Sequence, residues 1–388
     1  GEVTATITGS GSLTAAAINS NLSTGSSTDA LTVNLAAATV AATDITGIDS
    51  KTGTAVNTDA VTLITGTISE TLAVETAHAA NTVDTGDADT AYTISGTQTA
   101  TGTVGNITTI AAATSGTVTA SIGSLSAADI NTNLTAASDD AITIETTSTT
   151  TTATILNALD GKTSVAVDAD AITAITGDIA QGATMAGSSG LTLKSDYTFG
   201  ATNAATTTGL VANIATIAAD TGGVVTAAIN AGGSLTAAQI NSNLSTGSSG
   251  DSLTVTLAAA TVAATDITGI DSKTAVAVVA DSVTTITGSI SEGLAVVTAH
   301  GNSTVDMGND NTAYTLSGAA TTTGLVGNVA TIATDTTGTV TASINAGGSL
   351  TAAQINSNLS TGTSADALTV TLAAATVAAT DITGIDSK

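Results

Sequence analysis

The sequence predicts a mostly β fold, a repetitive β-solenoid with short helical insertions. Three observations predict it: the chain copies itself, its apolar residues are small or β-branched, and it contains no proline. The clearest copy is the stretch 226–273, which recurs as 341–388 and differs only at Ala228/Ser343, Ser248/Thr363, Gly250/Ala365 and Ser252/Ala367. A shorter echo, 31–51, differs from 368–388 only at Asn34/Thr371. Self-similarity at a fixed period marks repeat architectures. The alternative is a string of Ig-like or cadherin-like β-sandwich domains of about 110 residues, near the usual size of such modules.

Composition supports a thin core. The 388 residues include one Phe, three Tyr and no Trp or Cys, while 42% are hydrophobic. Disordered chains combine low hydrophobicity with high charge, and only 9% of these residues are charged. A thick sandwich core needs aromatic and leucine bulk. Small β-branched residues suit two short β-layers closing on each other. Absent proline fits a ladder in which nearly every N–H donates. Absent cysteine excludes disulfides and thiolate metal sites. The net charge of −26 excludes the basic patches that nucleic acid requires, and it permits divalent cations. No apolar run long enough to span a bilayer appears, so no transmembrane segment is expected. The chain begins at Gly1 inside a repeat, so a leader could lie outside it.

Val3-Thr4-Ala5 recurs at Val118, Val225 and Val340, at nearly even spacing. The expected organisation is repeat 1 at 1–114, a divergent repeat 2 at 115–221, repeat 3 at 222–336 and a partial repeat 4 at 337–388. Inside each, a shorter and even beat appears: Asp29-Ala-Leu-Thr-Val, then Asp44-Ile-Thr-Gly-Ile, then Asp59-Ala-Val-Thr-Leu. Such runs alternate apolar and Thr positions, as strands with one inward face do. Gly47, Gly66, Gly177, Gly269 and Gly288 follow them and are expected to turn the corners. If each beat is one rung and strands are spaced by roughly 4.8 Å, the rod would be on the order of 120 Å long; a coil of two beats would halve that.

One segment per repeat breaks the β pattern. Thr236 and Gln239 have capping-box spacing, and Ile240 and Leu244 sit four apart. Ser126/Asp129 and Thr351/Gln354 repeat the signature, whereas Ala17 leaves it incomplete in the first repeat. One or two helical turns are expected at each place.

The stretch 153–163, Ala-Thr-Ile-Leu-Asn-Ala-Leu-Asp-Gly-Lys-Thr, leads into Asp170-Ala-Ile-Thr-Ala-Ile-Thr-Gly177. This turn-then-strand pairing resembles the tandem repeats of giant Thr/Ala/Gly-rich cell-surface proteins of cyanobacteria and other aquatic bacteria, some of them associated with the envelope and with motility. The resemblance touches about half of each long repeat. It implies an extracellular, structural or adhesive role and carries over no catalytic residue.

Candidate sites are few. The acidic loop Asp84-Thr-Gly-Asp87-Ala-Asp89 matches Asp306-Met-Gly-Asn309-Asp310-Asn311. Alternating oxygen side chains around a glycine suit Ca²⁺, so Asp84, Asp87, Asp89, Asp306, Asn309 and Asn311 are the candidate metal ligands. The competing reading is a solvated turn held by Asx hydrogen bonds. Lys51, Lys162, Lys273 and Lys388 each fall two residues after an aspartate. They suit a local ion pair or an isopeptide cross-link to a buried Asn or Asp, which needs a dry pocket and a neighbouring carboxylic acid. His78 and His300 occupy equivalent places and read as surface residues. Gly161-Lys-Thr163 lacks the upstream glycine of a phosphate loop. Asn21, Asn133, Asn243 and Asn358 open N-glycan acceptor tripeptides, and Thr254/Thr256 and Thr369/Thr371 are Thr-x-Thr pairs.

No catalytic constellation is found, so the chain is not expected to be an enzyme. The expected function is a structural extracellular repeat protein of a cell-surface layer or filament, which self-associates by end-to-end stacking and touches cell-envelope components. The alternative is an adhesin stalk or fibre spacer that presents a distal tip, with calcium as its stabilising ion.

Overall fold

In the computed structural model, residues 1–86, 89–135, 138–308 and 311–388 are described. The fold is α/β, not mostly β. Among the described residues 14 helices make up 34% of the chain, beside four all-parallel sheets of four to seven strands. Both the β-solenoid and the Ig-like or cadherin-like sandwich expectations are therefore corrected. A sandwich is built from antiparallel strands, and every registered pair here is parallel. The helices are a full structural layer rather than short insertions.

The reason lies in the short beat of the sequence. Leu31, Val33 and Leu35 are two apart and buried, and they belong to the strand Ala30–Asn34 and its continuation. The next beat looks alike in composition but has another period. Ala42, Ile45 and Ile48 are three apart and fully buried on one face of the helix Ala42–Asp49. The same holds at Ala264–Asp271, and Ala379–Asp386 is its third copy. Helix propensity alone would not hold so short a segment. Burial of two isoleucines, each worth about 1.5–3 kcal/mol, does. Gly47 and Gly269 thus lie inside helices and Gly66, Gly177 and Gly288 inside strands, so none of them turns a corner.

Strand and helix alternate so that each circuit of the chain returns to the same sheet, one strand further on. Thr119 comes back to lie beside Ala141, and Leu63 beside Ala91. Two compact units are formed, 1–175 with 188–194, and 176–187 with 195–388.

In the first unit one sheet has the order Thr4–Thr8, Ala30–Asn34, Val56–Asn57, Val83–Asp84. The other runs from Thr39–Ala41 through Leu63–Thr67, Ala91–Gln98, Val118–Leu125, Ala141–Thr146 and Val167–Ala169 to Leu191–Leu193. The helices Ala15–Asn21, Ala42–Asp49, Ile68–Ala79, Thr101–Ala113, Ala127–Asn133 and Ala153–Asp160 stack consecutively. The core is a file of Ile, Val and Leu in which Tyr92 is the largest buried side chain.

The second unit repeats the scheme. Thr198–Ala205, Val225–Asn230, Ser252–Thr256, Val278–Val279 and Val305–Asp306 are neighbours in one sheet. Thr261–Ala263, Thr285–Ser289, Ala313–Ala320, Val340–Asn345 and Ala367–Thr371 form another. The long strand Ala313–Ala320 bulges where the register shifts between Thr315 and Ala319, with Gly318 at φ +79°; only glycine takes that conformation without strain. Phe199 packs against Gly182, where an added Cβ would lie 2.4 Å from its ring.

The four expected capping helices are present at Ala15–Asn21, Ala127–Asn133, Ala237–Asn243 and Ala352–Asn358. Thr236/Gln239 and Thr351/Gln354 form complete capping boxes, while Thr14 caps alone in the first repeat.

Candidate functional site

The recurring polar residues of the sequence are joints between successive passes of the chain. Asp29, Asp251 and Asp366 each accept a hydrogen bond at Oδ1 from the backbone N–H of Val3, Val225 and Val340, all at 2.9 Å, and Asp140 does so from Val118. This explains why Val-Thr-Ala and Asp-x-Leu recur together. These bonds hold the Asp29 carboxyl below the usual carboxylate range, the Val3 N–H foremost and then that of Ser26. The threonine after Lys51, Lys162 and Lys273 is a second joint. Thr274 Oγ1 accepts from Leu253 N at 3.0 Å and donates to Leu253 O at 2.8 Å. Thr52 and Thr163 do the same at Leu31 and Ile142.

The lysines do not pair with the aspartate two residues earlier. Asp49 and Asp271 instead accept hydroxyl bonds from Thr82 and Thr304, both at 3.1 Å. Burial pushes both carboxyls up, and those hydroxyls oppose it. Lys51 reaches across to the preceding helix. Its Nζ donates to Asn19 O at 2.5 Å and to Asn19 Oδ1 at 2.7 Å, while Asn19 Nδ2 donates to Asp44 Oδ1 at 3.0 Å. The third repeat rebuilds the same cluster: Lys273 Nζ to Asn241 O at 2.5 Å and Oδ1 at 2.8 Å, and Asn241 Nδ2 to Asp266 Oδ1 at 3.0 Å. Desolvation holds the Lys273 ammonium below its usual value, and Asp266 opposes it. Gly47 and Gly269 close over the amides, where an added Cβ would sit 2.6 Å from Asn19 Oδ1 and 2.5 Å from Asn241 Oδ1.

The second repeat departs from this plan as a set. Ile155 stands in place of the aspartate, Ala158 in place of the glycine, and Lys162 donates to the backbone carbonyl of Asn131. Asn131 Oδ1 is buried there without a partner among the described residues. In the last copy Lys388 Nζ donates to Ser360 O at 3.2 Å, and Asn356 Nδ2 is 3.4 Å from Asp381 Oδ1.

The predicted metal ligands divide. Asp84 and Asp306 end short strands and accept at Oδ1 from the N–H of Gly86 (3.2 Å) and Gly308 (3.0 Å), both glycines at positive φ. This is the Asx-turn arrangement. Asp89 and Asn311 are exposed, and Asp87 and Asn309 lie outside the described residues. Among the described residues no three His, Cys, Asp or Glu side chains converge as a metal group.

Other singled-out residues have local tasks. Asn21, Asn133, Asn243 and Asn358 each donate Nδ2 to a carbonyl four residues back, at 2.8 Å, which ties down the helix end. His78 Nδ1 lies 3.1 Å from Thr85 Oγ1, and His300 Nδ1 lies 3.1 Å from Asp335 Oδ1. The three tyrosines are fully buried, and Tyr92 and Tyr314 share one register position, opposite Val118 and Val340, which Phe199 fills opposite Val225. Tyr92 donates to Glu75, Tyr197 to Asp220 at 2.9 Å, and Tyr314 OH has no partner among the described residues, because Val297 stands where Glu75 does. Burial first, then the acid beside each, pushes all three phenols well up. The Thr254 and Thr256 side chains lie beside Ala228 and Asn230 in register, so no threonine ladder forms there. Among the described residues no helix is long and apolar enough to cross a membrane.

Comparison with protein-family models, with curated proteins and with solved structures finds no match. The joints between copies are the features the sequence hid best. Asn19 lies 32 residues from Lys51, and only the equal phase of Asn19, Asn131, Asn241 and Asn356 within their helices could have signalled it.

Proposed function

We propose that this chain is a structural repeat protein that self-associates through its exposed sheet edges, as part of an extracellular surface layer or filament. One observation carries the reading. Val118, Val225 and Val340 are fully buried, whereas their equivalent Val3 is 54% exposed. Likewise Ile45 and Ile267 are fully buried, whereas Ile382 is 50% exposed. Each exposed residue belongs to a surface that the neighbouring copy covers elsewhere in the chain. The strand Ala367–Thr371 is the outer strand of its sheet and Thr4–Thr8 of another, so each offers unpaired N–H and C=O groups. Open parallel edges are templates for another strand. The partner of best fit is a second copy of the same unit, since the complementary register already exists within the chain.

The composition supports a structural task. Sedimentation velocity over a hundred-fold concentration range tests the reading: a weight-average mass that climbs with concentration supports it, and a constant monomer mass refutes it. A parallel series with Ca²⁺ and with chelator tests the stalk alternative, in which calcium raises thermal stability while the mass stays monomeric.

A further inference from the structure

We infer that Lys51 and Asn19, and equally Lys273 and Asn241, are the two halves of autocatalytic isopeptide cross-links, with Asp44 and Asp266 as the proton-transferring acids. Three groups of the required chemistry meet in each cluster. An amine lies within hydrogen-bond distance of a side-chain amide oxygen, 2.7 Å in the first copy and 2.8 Å in the third. A carboxylate lies 3.0 Å from the amide nitrogen that would leave. A glycine backbone covers the amide at close range and takes the place that a side chain or water would fill. Lys273 supplies the further condition: its ammonium is easier to deprotonate than a free lysine because of burial, and the neutral amine is the nucleophile.

The step balances without a co-reactant. Lysine Nζ first gives up one proton to solvent. Its lone pair attacks asparagine Cγ, one C=O bond beyond the Oδ1 it already touches, and the Nζ–Cγ bond forms. The aspartate carboxylate takes a proton from Nζ as that bond forms and passes it to Nδ2, which lies at hydrogen-bond range; this is general base and then general acid work. The Cγ–Nδ2 bond breaks and ammonia departs. The product is a secondary amide joining residues 32 positions apart. Each bond would close a loop between two stacked helices, and loop closure of that kind stabilises chiefly by restricting the unfolded chain.

The chain contains its own negative control. At Asn131 and Lys162 the acid is Ile155, the glycine is Ala158, and the amine does not reach the amide oxygen. That pair is not expected to react. At Lys388 the amine sits on Ser360 O instead of the amide, so the fourth copy is not expected to react in this arrangement.

The experiment is intact-mass spectrometry of the purified full chain after incubation at mildly alkaline pH, followed by peptide mapping. The expected result is a mass below that of the sequence by two ammonia molecules. Branched peptides should join Lys51 to Asn19 and Lys273 to Asn241, with Lys162 linear. The Asp266→Asn chain should lose only one ammonia, and the Lys51→Arg/Lys273→Arg chain none. A full sequence mass in the folded wild-type chain would overturn the inference, as would loss of water, which would mean joining to an aspartate. Wild-type mass alone decides, so a variant that fails to fold does not protect the idea. The result is separate from self-association, which mass after denaturation does not read.

Discussion

Replacing Asp251 by Ala removes the joint between the strands Val225–Asn230 and Ser252–Thr256 at one point. Asp251 Oδ1 accepts from Val225 N at 2.9 Å, and Oδ2 accepts from Ser248 N at 2.9 Å and Ser248 Oγ at 3.3 Å. Ser248 is exposed, so its N–H and hydroxyl can turn to water. Val225 is fully buried and its N–H cannot. An orphaned buried donor costs about 1–3 kcal/mol, and a hydrogen bond to a charged group is worth about 1.5–3 kcal/mol. Freed of its own desolvation, the site should lose about 2–4 kcal/mol in total. That corresponds to a fall of roughly 30- to 1,000-fold in protection of the Val225 amide against hydrogen exchange. The assay is native-state exchange read by mass spectrometry or NMR. Val118, whose N–H is held by the untouched Asp140, is the internal reference. Unchanged protection at Val225 would refute the joint. An equal loss at Val118 would mean general loosening of the fold and would refute its local character.

Alkaline titration should show no tyrosinate absorbance near the ordinary phenol value of about 10, because burial raises all three phenols in the fold. The protonated form is favoured by folding, so stability is complete below that pH and is lost as pH rises above it; tyrosinate and unfolding should appear together, and tyrosinate without unfolding contradicts the burial. In acid the sign reverses for Asp29, whose carboxyl is lowered by the Val3 and Ser26 amides: its support is present above the unfolded value and fades as pH falls through the folded one, which carboxyl NMR of Asp29 reads directly. Thr304→Val should raise the Asp271 carboxyl further, since the hydroxyl is the group that opposes its burial, and a lowered value would contradict the assignment. Gly182→Ala should cost about 1–3 kcal/mol in chemical denaturation by overpacking, because the new Cβ meets the Phe199 ring at 2.4 Å. Gly105→Ala, in the helix Thr101–Ala113 with nothing within 4 Å, should instead gain about 0.5–1 kcal/mol.

The repeat, the short strands and the four capped helices are legible in the sequence because each rests on local pattern. Thr236 and Gln239 announce their helix by spacing alone. Thr67 and Glu70, and Ser289 and Glu292, carry the same capping-box signature, and both pairs open 12-residue helices. That signature is masked by the Thr, Ile and Val that surround it, whose composition speaks for strand. The three-residue spacing of Val104, Ile107 and Ile110 speaks for helix in the same way. Tertiary burial decides between the two in a chain whose intrinsic propensities are weak. The lysines are visible as a periodic feature, and their acid-and-amide surroundings are not. Their partners lie on another pass of the chain, and beside Lys51, Lys162 and Lys273 the nearest aspartate in sequence accepts from a threonine or serine hydroxyl instead. The Asp84 and Asp306 loops read from sequence alike as calcium sites or as Asx turns, and the N–H bonds of Gly86 and Gly308 are those of the turn.

The most direct test of the account is electron microscopy of the purified full chain across a dilution series. If the exposed edges at Thr4–Thr8 and Ala367–Thr371 pair between copies, particles should lengthen by whole chains as concentration rises, and the exposed Val3 and Ile382 side chains should become protected from hydroxyl-radical footprinting in the assembled fraction. Uniform single particles at every concentration, with both side chains still labelled by the radical, would contradict a self-assembling structural role.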